Sequence, residues 1–208
     1  MIRVLIADDQ DLVRGALAAL LGTEDDLEVV AEVGRGDEVV EAVREHRVDV
    51  ALLDIEMPGM TGIEAAEALQ SVQSVQTSQG FPCRTVIVTT FGRPGYLRKA
   101  LGAGVSGFVV KDTPPSQLAE AVRRVHQGLR VVDPALAEES LFTPDSPLTA
   151  REMEVCRAAR GGTGIREIAA ELHLSQGTVR NHLSSVIGKT GASNRFEAVT
   201  VADQNGWL

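Results

Sequence analysis

With 208 residues, 44% of them hydrophobic, the chain can form one large globular core or two small ones, since domains cluster near roughly 100–150 residues. No uninterrupted apolar run approaches the roughly 18 residues of a membrane span, the N-terminus lacks the regions of a signal peptide, and Cys83 and Cys156 suit neither a disulfide framework nor a metal-ligand spacing, so a cytoplasmic setting without a membrane partner is expected. The formal charge of −9 is uneven: residues 144–208 hold seven Lys/Arg and seven Asp/Glu, and residues 1–143 carry the whole excess, which suits two domains with separate tasks and leaves DNA binding open.

In chain order, an apolar run at 2–7 predicts a first strand, and Leu12, Ala16, Ala19 and Leu20 at helical spacing predict a helix after it. Further strands are expected at 28–33, 48–53, 85–89 and 107–111, with helices at 39–45, 63–71, 96–101 and 117–126 between and after them. Thr61 and Glu64 have the spacing of a capping box at the start of the third helix. Five β-α units with nearly continuous apolar strands predict a doubly wound parallel α/β sheet covered on both faces. Residues 71–82, rich in Gln and Ser, are expected to end a helix and continue as a surface loop, and 128–147, with three prolines, to form a linker. Beyond it the period is purely helical, with a second capping box at Thr149 and Glu152 and helices at 153–160, 165–172, 176–189 and 195–204. The division is therefore 1–127, a linker at 128–147, and a small all-α domain at 148–208.

Ligands of an open parallel sheet gather at the carboxyl ends of its strands. Asp8 and Asp9 follow the first strand, Asp54 the third, Thr89 ends the fourth and Lys111 the fifth, so five polar side chains converge on one rim. Three crowded carboxylates call for a cation, and hard oxygen ligands suit Mg²⁺. An aspartate beside such an ion can accept a phosphoryl group, a transfer that needs mainly positioning and charge neutralisation. Singly, each residue has a plainer reading as a helix cap, a surface ion-pair partner or a strand former; the set together favours chemistry.

Residues 1–127, through Ile6-Ala7-Asp8-Asp9, the run Asp54-Ile55-Glu56-Met57-Pro58-Gly59-Met60-Thr61-Gly62, Val88-Thr89-Thr90 and Lys111, resemble the flavodoxin-like receiver domains of two-component response regulators. The resemblance implies that Asp54 accepts phosphate from a sensor histidine kinase. It also implies that Asp9, Asp54 and the backbone carbonyl of Glu56 hold Mg²⁺ with Asp8 acting through water, that Thr89 and Lys111 contact the phosphoryl group, and that Phe108 is the aromatic switch. Asp112 after Lys111, the long loop before the fourth strand and the opening Phe91-Gly92-Arg93-Pro94-Gly95-Tyr96 depart from the common pattern. A bulky Phe91 beside the site would slow hydrolysis of the phosphate. The stretch from Thr89 to Tyr96 also looks like the branch that holds regulators of membrane-lipid desaturation.

Ile168, Ala169, Leu172, Leu174, Val179, Leu183 and Val186 form an apolar stripe over two helices and a short turn, the requirement for one helix to brace a second in the major groove. Residues 148–202 resemble the LuxR-type (NarL/FixJ) helix-turn-helix domain. By that match Arg180, Asn181 and Ser184 face base edges, as suits Arg with guanine and Asn with adenine. Thr178, Ser175, Lys189 and Arg166 fall to phosphates, and the last helix to dimer formation. The whole is then a non-enzymatic transcription regulator that dimerises on phosphorylation through helices one and five (Leu12, Ala16, Leu118, Val122, Val125) or through the fourth, with double-stranded promoter DNA and RNA polymerase as partners. A dehalogenase-type phosphohydrolase fits less well, since Asp54-Ile55-Glu56 offers Glu where a second Asp is wanted. A flavin or nucleotide carrier fits less well still, since Ala7-Asp8-Asp9-Gln10-Asp11 is acidic and lacks glycine.

Overall fold

The computed structural model describes residues 1–75, 82–90, 94–134, 136–138 and 146–208. The chain divides into two compact units, one within Met1–Ala137 and one containing Glu138–Leu208.

The first unit is a parallel sheet of order β2-β1-β3-β4-β5-β6, with β1 at Ile2–Ala7, β2 at Leu27–Val33, β3 at Val50–Leu53, β4 at Arg84–Thr89, β5 at Gly107–Val110 and β6 at Val131–Val132. Helices α1 (Asp11–Leu21), α2 (Val39–His46), α3 (Gly62–Val75), α4 (Pro94–Gly102) and α5 (Pro115–His126) alternate with the strands. Side chains alternate across each strand. Val4, Ile6, Val50, Leu52, Val86 and Val88 pack on one face in a single cluster with Leu21 of α1 and Leu118, Val122 and Val125 of α5. The intervening Leu5, Leu53, Ile87 and Phe108 are equally buried.

Two sequence expectations need correcting here. Among the described residues six strands are present where five were expected, because Val131-Val132, placed in the linker from sequence, pairs with Gly107 and Phe108 and covers the free edge of β5. In addition, Leu118, Val122 and Val125 are not available to a partner, because they are buried against the sheet. On α1, by contrast, Leu12 stands 86% exposed and Ala16 is exposed too.

The expected capping box at α3 is present. Thr61 N–H donates to Glu64 Oε2 at 2.8 Å and Glu64 N–H to Thr61 Oγ1 at 3.2 Å. Gly62 begins that helix where a Cβ would lie 2.0 Å from the backbone oxygen of Asp54, so only glycine lets α3 start so close to the end of β3. The helix runs to Val75, further than expected; residues 76–81 of the Gln/Ser-rich stretch, Phe91 and residues 139–145 of the linker lie outside the described residues.

The second unit contains α6 (Ala150–Ala159), α7 (Ile165–Glu171), α8 (Gln176–Thr190) and α9 (Arg195–Gln204). Three side-chain caps start these helices. Thr149 and Glu152 form the expected box, Ser175 Oγ accepts from Thr178 N–H at 3.0 Å, and Asn194 Oδ1 accepts from the amides of Phe196 and Glu197, each at 3.0 Å. Val155, Ala159, Ile168, Ala169, Val179 and Leu183 bury together, with Leu172 and Leu174 at their edge. Val186 joins a second cluster with Leu148, Cys156, Ala198, Ala202 and Leu208. The stripe read from sequence therefore serves two adjoining cores.

Candidate phosphoacceptor pocket and nucleic-acid interface

The rim of the parallel sheet gathers the expected acidic groups. Asp8 and Asp54 are almost fully buried and Asp9 is exposed, and one carboxylate oxygen from each lies within 4.8 Å of the others. Backbone bonds hold the rim: Asp8 N–H donates to Val33 O at 3.1 Å, Asp54 N–H to Ala7 O at 2.8 Å and Lys111 N–H to Thr89 O at 2.8 Å. The Lys111 ammonium lies 2.6 Å from Asp8 Oδ2 and 3.1 Å from Asp54 Oδ1, bridging the two buried acids. Burial pushes the Asp54 carboxyl up and the Lys111 charge only partly offsets it, so Asp54 stands above the usual carboxylate range. Burial opposes the Lys111 ammonium as well, yet Asp8 and Asp54 outweigh it and raise its affinity for the proton. Three carboxylates and one ammonium leave the rim with excess negative charge and hard oxygen donors, a set that fits a divalent cation.

Thr89 is buried at the end of β4, and Phe108 is buried on β5 between Ile87 and Val132. The side chain of Glu56, expected to serve through its backbone carbonyl, is exposed. Sequence reasoning missed Arg14, whose guanidinium donates to the backbone oxygen of Asp8 at 2.6 Å and pairs with Asp11 at 2.5 Å, tying α1 to the rim. Its one-turn spacing from Asp11 was the available signal.

In the second unit α8 turns Val179, Leu183 and Val186 inward and leaves Arg180, Asn181 and Ser184 exposed. The expected base readers therefore share an outward face, braced by α7. Arg166 is exposed at the start of α7, and His182 is half-buried. Ser175 Oγ and Thr178 Oγ1 lie 2.8 Å apart at the cap of α8. Lys189 is placed differently: its ammonium lies 2.6 Å from Glu152 Oε2, across from α6.

Residues 4–123 match the response regulator receiver domain and residues 146–202 the luxR family of bacterial regulatory proteins. The chain belongs to the two-component response regulators. Both its receiver and its LuxR-type DNA-binding domain are accounted for by these matches, and its relatives are transcriptional regulators. It is 44% identical to the transcriptional regulatory protein DesR of Bacillus subtilis over 208 residues, the full length of both. It is 36% identical to UhpA of Escherichia coli over 197 residues, 95% of each. Among solved structures it resembles the response regulator ChrA of a heme-sensing two-component system, at 33% identity and a TM-score of 0.58, covering 100% of this chain and 98% of that one. An RcsB–DNA complex, at 23% identity and a TM-score of 0.62, covers 98% of both and shares the fold. No helix among the described residues is long and apolar enough to cross a membrane.

Proposed function

We propose that this response regulator takes a phosphoryl group on Asp54 from a sensor histidine kinase, dimerises, and then binds promoter DNA through α8. The observation that carries the reading is the Lys111 ammonium lodged between Asp8 and Asp54 at the rim, with Asp9 beside them. Asp9, Asp54 and the Glu56 carbonyl would hold Mg²⁺, with Asp8 behind them through water, and the ion when bound supplies neutralisation of phosphoryl charge. Asp54 is the nucleophile. Its carboxylate attacks the phosphorus of the kinase phosphohistidine, the P–N bond breaks and an acyl phosphate forms. Lys111 then moves its pairing from the Asp54 carboxylate to a phosphoryl oxygen, and the Thr89 hydroxyl donates to another.

The inward pull on Thr89 is relayed to Phe108 on the neighbouring strand β5, which pairs directly with the edge strand β6, and shifts the receiver toward a self-associating state. Exposed Leu12 and Ala16 make α1 the apolar part of that surface, since α5 spends its own stripe on the core. A dimer would present two copies of Arg180, Asn181 and Ser184 to paired half-sites, with Thr178, Ser175 and Arg166 at phosphates and RNA polymerase as the downstream partner. The chain itself turns over no substrate in this scheme, and the setting that joins an ATP-fed kinase to promoter DNA is the cytoplasm. The test is solution mass with and without beryllofluoride and Mg²⁺, for wild type and Asp54→Ala. A shift from monomer to dimer in wild type alone is expected; an equal shift in Asp54→Ala overturns the reading.

A further inference from the structure

Glu152 lies on α6, only 4% exposed, and its ion-pair partner comes from α8 rather than from its own helix. Its two oxygens reach the last turns of α8. Oε1 accepts from the Ser185 hydroxyl at 2.7 Å, and Oε2 accepts from the Lys189 ammonium at 2.6 Å while also taking the Thr149 amide at 2.7 Å. One buried carboxylate thus caps its own helix and holds two residues one turn apart on the neighbouring one.

Lys189 follows Arg180 by nine positions, about 2.5 turns at ~3.6 residues per turn, so it leaves the helix on the side opposite Arg180. When Arg180, Asn181 and Ser184 face a groove, Lys189 faces α6. We infer that Lys189 is a positioning residue, the internal counterion of Glu152, and that the Glu152–Ser185–Lys189 clamp fixes the roll of α8 so that its three readers meet the bases in register. Phosphate neutralisation, expected of Lys189 from sequence, is then not its task. The inference rests on the DNA-reading role proposed above.

The carboxyl is held low in keeping with this arrangement. Burial alone would raise it, but Lys189, Ser185 and Thr149 bring it to about 2, so the Glu152 carboxylate stays charged throughout the physiological range. The apolar stripe of Val179, Leu183 and Val186 sets the distance between helices. A smooth apolar contact resists rotation weakly, whereas charge-assisted hydrogen bonds at two successive turns do not tolerate it.

The two roles separate in their dependence on salt and sequence. The probes are a duplex that the beryllofluoride-loaded full chain enriches from a random-sequence pool, and a scrambled duplex of equal length. Affinity is measured for both across a range of salt concentrations with wild type, Lys189→Met, Lys189→Arg, Ser185→Ala and Glu152→Gln. A positioning role predicts that Lys189→Met loses on the order of ten-fold on the enriched duplex, the scale of one charge-assisted hydrogen bond. It also predicts little loss on the scrambled duplex, an unchanged salt slope, recovery in Lys189→Arg, and losses of the same pattern in Ser185→Ala and Glu152→Gln.

Ser185→Ala keeps every charge and both helices, so it tests the clamp even if the other variants lose their fold, which Trp207 emission reports. A phosphate contact predicts the reverse. Lys189→Met would weaken both duplexes alike and flatten the salt slope by about 0.9, and Glu152→Gln would strengthen binding by releasing the lysine; either result overturns the assignment. Should wild type enrich no duplex, the DNA-reading function falls and this assignment with it, a result seen before any variant is compared.

Discussion

Glycine to alanine should have opposite effects at two positions of the receiver. At Gly62 an added Cβ would lie 2.0 Å from the backbone oxygen of Asp54, 2.9 Å from its carbonyl carbon and 3.2 Å from Leu53 Cβ. The first two are backbone atoms that cannot rotate away, and an ordinary contact needs ~3.5 Å. The start of α3 or the end of β3 must therefore shift by more than an ångström, although Gly62 N–H is bound to Ile55 O at 3.0 Å. Forced overpacking of this kind costs about 1–3 kcal/mol, and with a urea slope of about 2 kcal/mol per molar the midpoint falls by roughly 0.5–1.5 M. Gly15, inside exposed α1, has nothing within 4 Å of an added Cβ. There the same change gains about 0.5–1 kcal/mol by restricting the unfolded chain. Far-UV dichroism of the full chain in urea measures both. The single tryptophan, Trp207, packs in the second unit, so its emission is an internal control that neither variant should move. Beryllofluoride affinity should fall for Gly62→Ala, because the displaced atoms belong to Asp54 itself. A Gly62→Ala variant as stable as wild type would refute the steric argument outright.

Two further outcomes follow from charge. Glu152 is held at about 2 against an ordinary 4.5, so its stabilising effect is present above 4.5 and is lost as pH falls toward 2; after solvent screening through Lys189 we expect about 1–2 kcal/mol. Acid unfolding followed by Trp207 emission should therefore lose its steepest dependence between those values in Glu152→Gln, and an unchanged profile would count against the clamp. Lys111 has a raised affinity for its proton, so it contributes stability below its ordinary 10.5, including at neutral pH. Lys111→Met, leaving Asp8 and Asp54 without their cation, should lower receiver stability by about 3 kcal/mol in the absence of divalent ions, and added Mg²⁺ should recover much of the loss in urea titrations. Equal stability of variant and wild type without Mg²⁺ would show that the ion pair contributes nothing.

The strands that carry the pocket were legible because apolar runs end at Asp8, Asp54, Thr89 and Lys111, and a parallel sheet brings such ends together. The capping pairs Thr61–Glu64 and Thr149–Glu152 were legible for the same local reason, a three-residue spacing. Asn194 and Glu197 have that spacing too and went unread; in the structure Asn194 caps α9 while Glu197 accepts from Ser193 N–H at 2.7 Å instead. What sequence could not separate was direction. Leu118, Val122 and Val125 make the same stripe whether α5 faces a sheet or a partner, and only the packing shows that they face the sheet. The same limit hid the second use of Glu152, whose partners on α8 are 33 and 37 positions away. β6 escaped because two valines at an edge have no period to read.

That short strand determines where the protein can be cut and joined. A receiver ended at the close of α5 would keep its acidic pocket but lose Val131-Val132, leaving the backbone of Gly107 and Phe108 open to any passing strand, the usual route to edge-to-edge aggregation. The natural seam for exchanging output domains therefore lies after Val132. Chimaeras spliced beyond that point inherit a closed sheet, and those spliced at 127 inherit an adhesive one.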